Sequence, residues 1–156
     1  MPTPPLIPRD PSAVDAQHLK LLAIFHFVLA GFALIGLGFL GLHWFIMESV
    51  FSNPEAWQQS NSGSPPEQFL ALFKWFYFAM GVIVVANGIA NLVSGFMIRQ
   101  RRGRVFSLVV AGVNCLAFPF GTALGVFTFI VLLRDSVEAL YAAASRPLER
   151  ESLAPL

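Results

Sequence analysis

The sequence is poor in the residues on which most protein chemistry depends. Charged residues make up only 12% of the 156, well below the share of about 25% that is usual in soluble domains. The single cysteine, Cys115, excludes an intrachain disulfide and any Cys-x-x-Cys motif. The sequence also has no phosphate-binding loop, no metal-ligand spacing and no His–carboxylate–nucleophile grouping. It therefore predicts a protein that is not an enzyme and that carries neither a metal nor a cofactor.

Apolar residues take the place of the missing charges. They make up 56% of the chain, and the few charges fall between the apolar runs or outside them. The most informative run is bounded by Arg104 and Arg134, which enclose 29 uncharged residues. A chain of this size has too little other mass to wrap such a run, so we expect it to lie in lipid.

The apolar runs predict an all-α fold, an integral membrane four-helix bundle with two long spans and a short helical hairpin. We expect helices at about 18–47, 68–99, 104–118 and 122–145, which together form a transmembrane domain over 18–145. The proline-rich residues 1–17 predict a disordered or extended arm. Residues 146–156 predict a solvated tail.

The run after Arg104 can be threaded through a membrane in two ways. A single helix would be long for a hydrocarbon core of about 30 Å and would carry Pro119 in its interior. A hairpin that turns at Pro119–Thr122 has arms of roughly 18 to 22 Å, which are short for a full crossing. We favour the hairpin because Pro and Gly together are typical of a turn. A re-entrant hairpin and a single kinked span remain as alternatives.

Four arginines between the second and third helices predict the orientation in the membrane. They are Arg99, Arg101, Arg102 and Arg104. The positive-inside rule places this loop in the cytoplasm, and with a hairpin both termini lie there too. Binding of nucleic acid or of anionic lipid is the second interpretation of such a basic run, and we do not expect a nucleic-acid partner.

Polar and small residues share faces on the predicted helices. Asn87, Asn91 and Ser94 recur at helical spacing on the second helix, and Asn114 is the single amide of the third. Small and polar side chains commonly join membrane helices, because they permit close approach and interhelical hydrogen bonds. The same face could instead bind a ligand or line a polar path. The glycines that we expect at helix contacts are Gly88, Gly95, Gly121 and Gly125.

His26 is a weak candidate for cofactor binding, because an imidazole inside an apolar span can carry a proton or ligate haem. His43 lies 17 residues further on, roughly 25 Å along a helix, so the two cannot bind one iron. We therefore favour a hydrogen-bonded structural role for His26.

The segments HLKLLAIFHFVLAG and FSLVVAGVNCLAFPFGTALGVFTFIVLLRDSVEALY resemble a family of small, uncharacterised bacterial multi-pass inner-membrane proteins. The specific part of the resemblance is the C-terminal PFGTxLGxFTxxVLLRDSV hairpin. It implies a multi-pass protein of the bacterial inner membrane with about four helices, and it supplies no activity to carry over. Members carry an acidic residue where Asn114 stands, and this difference argues against a proton-linked role at that position.

Three hypotheses for function follow. The first is a non-enzymatic structural or accessory subunit of a membrane assembly, whose partners are the bilayer and other membrane subunits or further copies of itself. The second is an oligomeric channel or small-solute transporter lined by Asn87, Asn91, Ser94 and Asn114. The third is a haem- or quinone-binding protein that uses His26.

Overall fold

The computed structural model describes residues 11–53 and 67–152, and within these ranges all of the regular secondary structure is helical. The prediction of an all-α chain is therefore confirmed. The helices are α1 (Pro11–Phe51), α2 (Glu67–Arg99), α3 (Arg104–Asn114), α4 (Phe120–Leu132) and α5 (Asp135–Ser152). The described chain forms two compact units. The first holds the residues up to Leu29 and from Ala90 onward, and the second is Ala30–Ile89.

Two of the helices are long and apolar enough to cross a membrane. They are α1 with 41 residues and α2 with 33. Helix α1 begins at Pro11, a residue well suited to the first helical position because it has no N–H group to leave unpaired. Residues 11–17, expected to be part of an arm, thus belong to α1. Residues 1–10 lie outside the described ranges.

The apolar run after Arg104 forms a hairpin. Its two ends meet, because the Arg104 Nε–H donates to the carbonyl oxygen of Leu132 at 2.8 Å. A single kinked span is therefore wrong. The turn comes earlier than expected, since α3 ends at Asn114 and α4 begins at Phe120. The residue before a proline disfavours helical backbone, so the helix ends ahead of Pro119.

A second break separates α4 from α5 at Leu133 and Arg134, so the expected continuous helix 122–145 is wrong. The Arg134 side chain bonds to Asp15 at 3.2 Å, which holds it against α1 and not along its own helix. Glu138, four residues after Arg134, contacts Arg104 at 2.7 Å and forms no ion pair with Arg134. Helix α5 then runs to Ser152, so residues 146–152 are helical and not a tail; residues 153–156 lie outside the described ranges.

The core of the first unit draws side chains from α1, α2, α4 and α5. Its most completely buried members are Leu22, Ile98, Val131, Leu132 and Val137. Burial of one such side chain is worth about 1.5 to 3 kcal/mol. This core holds the short helices against the beginning of α1 and the end of α2, and thereby positions the polar groups between them.

The second unit consists of the facing parts of α1 and α2. A Cβ atom on Gly88 would lie 2.9 Å from the Ala33 Cβ, so glycine is required for the close approach of the two helices there. Further along, the Tyr77 hydroxyl is hydrogen-bonded to His43 Nδ1. The His43 and Tyr77 rings stack at 5.7 Å, and Trp44 packs edge-on against Tyr77 at 5.3 Å.

Candidate functional site

A cluster of buried polar side chains lies at the centre of the first unit. It joins α1, α2, α3 and α4 through His26, Asn91, Asn114 and Thr128, each of which is 0% exposed. We call these four residues the polar cluster. Buried polar groups destabilise a fold unless they are hydrogen-bonded, so the geometry of their pairing decides what the cluster can do.

Asn91 is the central member of the polar cluster. Its Nδ2 donates to Asn114 Oδ1 at 3.0 Å, and its Oδ1 accepts from Asn114 Nδ2 at 2.8 Å. The same Oδ1 lies 2.9 Å from His26 Nδ1. Because a carboxamide oxygen has two lone pairs, it can accept from both neighbours at once. The two amides therefore form a closed reciprocal pair that ties α2 to α3.

The bonding of Asn91 specifies the state of the imidazole. Nδ1 of His26 faces an acceptor oxygen, so the proton belongs on Nδ1 and the neutral ring leaves Nε2 as an acceptor. The Thr128 hydroxyl lies 3.4 Å from Nε2 and donates to the Leu124 carbonyl oxygen at 2.8 Å. Both ring nitrogens thus face protein groups.

Glycines beside the polar cluster allow the helices to come close enough for these short side chains to meet. An added Cβ on Gly95 would lie 2.7 Å from the Phe27 ring. On α4, an added Cβ would lie 2.6 Å from the Asn114 carbonyl oxygen at Gly121, and 2.5 Å from that of Ala111 at Gly125. Since backbone carbonyls cannot swing aside, α4 could not approach α3 this closely with larger residues at these positions.

Ser94 and Asn87, the other predicted members of the polar face, do not belong to the polar cluster. Ser94 is fully buried, and its hydroxyl has no hydrogen-bond partner within the described part of the chain; the same holds for Ser107 on α3. Asn87 belongs to the second unit, where it is half-buried.

The four loop arginines divide into two groups. Arg104 is engaged, with its Nε–H on the last carbonyl of α4 and its Nη1 on Glu138. Arg99, Arg101 and Arg102 form no ion pair within residues 11–53 and 67–152.

The ligand-binding capacity of the polar cluster is small. Its only titratable group is His26, and no group of three or more His, Cys, Asp or Glu residues that could hold a metal occurs in the described ranges. A haem iron would have to reach Nε2 of His26, since Nδ1 is bonded to Asn91 Oδ1; Nε2 lies 3.4 Å from the Thr128 hydroxyl in a side chain that is 0% exposed, so protein covers it. The arrangement is suited to joining helices.

Helical spacing in the sequence does not predict two contacts of the first unit, that of Thr128 with His26 and that of Asp15 with Arg134. Thr128 stands out in the sequence only as a neighbour of the α4 glycines, and its approach to His26 joins residues 102 positions apart. The ion pair of Asp15 with Arg134 joins residues 119 apart. A signal is present in both cases, namely a polar residue within or beside an apolar run, but the sequence alone does not name the partner.

The protein is all-helical, and two of its helices are long and apolar enough to cross a membrane. The buried polar cluster connects these two long helices to the two short helices α3 and α4. No family model, curated protein or solved structure matches the chain.

Proposed function

We propose that this chain is a multi-pass protein of the bacterial inner membrane and serves as a non-enzymatic structural or accessory subunit of a membrane assembly. The observation that carries the proposal is the closed bonding of the polar cluster. Asn91 and Asn114 satisfy each other at 2.8 and 3.0 Å, and His26 bonds to the same pair at 2.9 Å. Polar side chains that are bonded to one another across four helices hold those helices together, as a structural subunit requires.

The exposure of the long helices supports the membrane placement. Of the most apolar 18 residues in each, only 17% are buried in α1 and 0% in α2. The core helix of a soluble protein would be covered, whereas a helix in lipid exposes apolar side chains all round. Large exposed side chains follow both helices, among them Leu34, Phe39, Leu72 and Phe78.

The two other hypotheses have less support. A channel lined by Asn91 and Asn114 would need their amides to face water, yet both residues are 0% exposed and bonded to each other. Haem or quinone binding at His26 would need the ring to be uncovered, because Nδ1 is bonded to Asn91 and Nε2 is buried beside Thr128.

Membrane placement is tested first. The full chain is expressed with a reporter fused after Leu156, and the membranes are extracted with alkaline carbonate. We expect the protein to stay in the pellet and the reporter to be on the cytoplasmic side. Extraction into the supernatant refutes membrane insertion, and a reporter active only outside refutes the placement of both termini in the cytoplasm.

The accessory role is tested by photocrosslinking in native membranes. A photoreactive residue replaces exposed Ile35 or Phe39 on α1, and exposed Trp75 or Phe78 on α2 serves as the matched set on the other helix. A subunit contact gives one adduct of discrete mass from a restricted set of positions. Two differently tagged copies distinguish self-association from a different subunit. A protein that purifies as a monomer and gives no protein adduct from any position has no such role.

A further inference from the structure

The turn between α2 and α3 is built around an unusual residue. Arg101 N donates to the Ile98 carbonyl at 3.1 Å, and Arg102 N to that of Met97 at 2.9 Å. These two bonds are those of a Schellman motif, in which the residue after the helix end adopts left-handed backbone and is usually glycine. Here that residue is Arg101, with φ 53°. Left-handed backbone costs a residue with a Cβ atom about 1 to 2 kcal/mol, so arginine is less stable than glycine at this position.

Four cations surround this turn without acidic partners. Lys20, Arg99, Arg101 and Arg102 form no ion pair with any described residue, while Arg104 and Arg134 are each paired with a carboxylate. The positive charge at the turn is therefore uncompensated within the described chain, and an anion is the ligand that complements it.

One side of the turn borders a cavity of about 390 Å³. Arg101, Arg102 and Gly103 line it together with Tyr141 and Ser145 of α5. Gly103 caps α3 without a side chain, so no side-chain acceptor occupies the first N–H groups of that helix. Such a helix start favours anions because unpaired N–H groups and the positive end of the helix dipole coincide there.

Tyr141 supplies an independent sign of a missing ligand. It is only 8% exposed, and its hydroxyl is buried with no hydrogen-bond partner in the described ranges. Burial raises the pKa of Tyr141 to about 12 even though Arg101 and Arg104 lie close enough to oppose the rise. The hydroxyl is thus a protonated donor without an acceptor, in a residue that lines the cavity together with Arg101.

The other side of the turn borders a groove of about 410 Å³ with an apolar lining. Ile24, Phe27 and Ile98 line it, and Lys20, Arg99 and Arg101 lie along the same groove. Arg101 borders both spaces. A free phosphate would use only the polar cavity, whereas a phospholipid would place its headgroup there and an acyl chain along the apolar groove.

We propose that the Arg101–Gly103 turn and Tyr141 bind the phosphate of an anionic phospholipid headgroup, with an acyl chain in the groove of Ile24, Phe27 and Ile98. The proposal rests on the membrane placement of the proposed function and is independent of the accessory role. The guanidinium groups bind the phosphate oxygens, the Tyr141 hydroxyl donates to one of them, and the start of α3 adds backbone donors.

The test uses the full chain purified in a neutral detergent. Phosphatidylglycerol or phosphatidylcholine with identical acyl chains is added at increasing concentration, and native mass spectrometry measures the fraction of protein that retains one lipid. We expect saturable retention of phosphatidylglycerol and about tenfold weaker retention of phosphatidylcholine. Inorganic phosphate at matched concentrations forms the third arm and should not displace the lipid.

The variants separate binding from folding. Arg101→Gly suits the left-handed backbone, so it should preserve or raise thermal stability while lowering phosphatidylglycerol affinity about five- to tenfold. Tyr141→Phe should weaken affinity without loss of fold. Lys74→Gln removes one charge from the second unit and is the matched control, with unchanged affinity.

Three outcomes overturn the proposal. The first is equal retention of the two lipids by the unaltered chain. The second is equal phosphatidylglycerol affinity for Arg101→Gly and Lys74→Gln. The third is displacement of the lipid by inorganic phosphate, which assigns the cavity to a free anion. A chain that resists carbonate extraction and yet shows any of these retains the proposed membrane placement and loses the lipid site.

Discussion

The reciprocal amide pair of Asn91 and Asn114 permits a quantitative test of the polar cluster. The perturbation is a double-mutant cycle with Asn91→Ala, Asn114→Ala and both changes together. Two hydrogen bonds of 3.0 and 2.8 Å are lost in each single variant. Interhelical hydrogen bonds between membrane helices average about 0.6 kcal/mol and reach about 1.7 kcal/mol, so the pair should couple by about 1 to 2 kcal/mol.

The single variants should be more destabilising than the coupling alone. Each leaves a buried amide without a partner, which costs a further 1 to 3 kcal/mol or so. We expect about 2 kcal/mol for Asn114→Ala. Asn91→Ala should cost about 3 kcal/mol, because it also removes the acceptor of His26 at 2.9 Å. The double variant should fall short of the sum by at least the coupling energy, because neither amide is then left without its partner.

The assay is reversible unfolding in mixed micelles by titration with sodium dodecyl sulfate, followed by far-ultraviolet circular dichroism. Asn91→Ala combined with Ser145→Ala is the control pair. The Ser145 side chain is exposed and bonds only within α5, so the two changes should add to within about 0.5 kcal/mol. A coupling between Asn91 and Asn114 no larger than that of the control would refute the closed pair as the joint between α2 and α3.

Three further predictions concern single contacts. Gly125→Ala places a methyl group 2.5 Å from a backbone oxygen of α3 and should destabilise the protein by about 2 kcal/mol in the same titration. Gly36→Ala is the control: its methyl group would have no neighbour within 4 Å, so it should be neutral or stabilising by up to about 1 kcal/mol. Tyr141→Phe removes an unpartnered buried hydroxyl, so lipid-free stability should stay the same or rise. The folded pKa of Tyr141 is about 12, whereas tyrosine in the unfolded chain ionises near pH 10, so the protein should lose stability as the pH rises from about 10 to 12. This loss should be smaller in Tyr141→Phe. An equal loss in both proteins contradicts the raised pKa of Tyr141. Arg104→Gln should lower the free energy of unfolding by about 1 to 2 kcal/mol, because it removes the hydrogen bond to the Leu132 carbonyl at the end of α4. Glu138→Gln alters the exposed partner of Arg104 and should change the free energy of unfolding by no more than about 0.5 kcal/mol. Equal effects would show that the ion pair, and not the bond to the carbonyl, accounts for the stabilisation by Arg104.

Much of the helical layout follows from residue patterns along single segments. Runs of apolar residues identify α1 and α2, because only helices bury every backbone polar group within one segment. The reversal after α3 follows from Pro119 in the middle of a run too long for one crossing. The spacing of Asn91 and Ser94 indicates one face of α2, and both are 0% exposed. These features depend on local geometry, which the sequence specifies directly.

Features that depend on distant partners could not be predicted in the same way. The break at Leu133 and Arg134 lies in an apolar stripe that continues at helical spacing, and the local sign of it is the acidic first turn of α5, Asp135 and Glu138. What accompanies the break is Asp15, which bonds the Arg134 side chain from α1. Likewise, Glu138 lies at the right spacing for Arg134 and contacts Arg104 instead. A helical period indicates a face, but the fold decides which side chain it meets.

The hairpin tip decides how α3 and α4 sit in the proposed membrane. With 11 and 13 residues, the arms are roughly 16 and 20 Å long, well short of the hydrocarbon core of about 30 Å. Irregular backbone at that depth requires internal partners. Such partners are present, because Ala117 N donates to the Asn114 carbonyl at 2.9 Å and the Thr122 hydroxyl donates to that of Cys115, also at 2.9 Å.

The side chains at the hairpin tip are apolar and exposed, whereas the polar backbone groups there are hydrogen-bonded. Leu116 is 86% exposed and Phe118 is 87% exposed, with no charged residue between Arg104 and Arg134 to meet water. A tip with bonded backbone and bare apolar side chains is suited to hydrocarbon and poorly suited to an aqueous surface. We infer that the hairpin enters the bilayer and returns to the same side. On that inference and the orientation proposed above, Arg104 and Arg134, at the two ends of the hairpin, both lie at the cytoplasmic face.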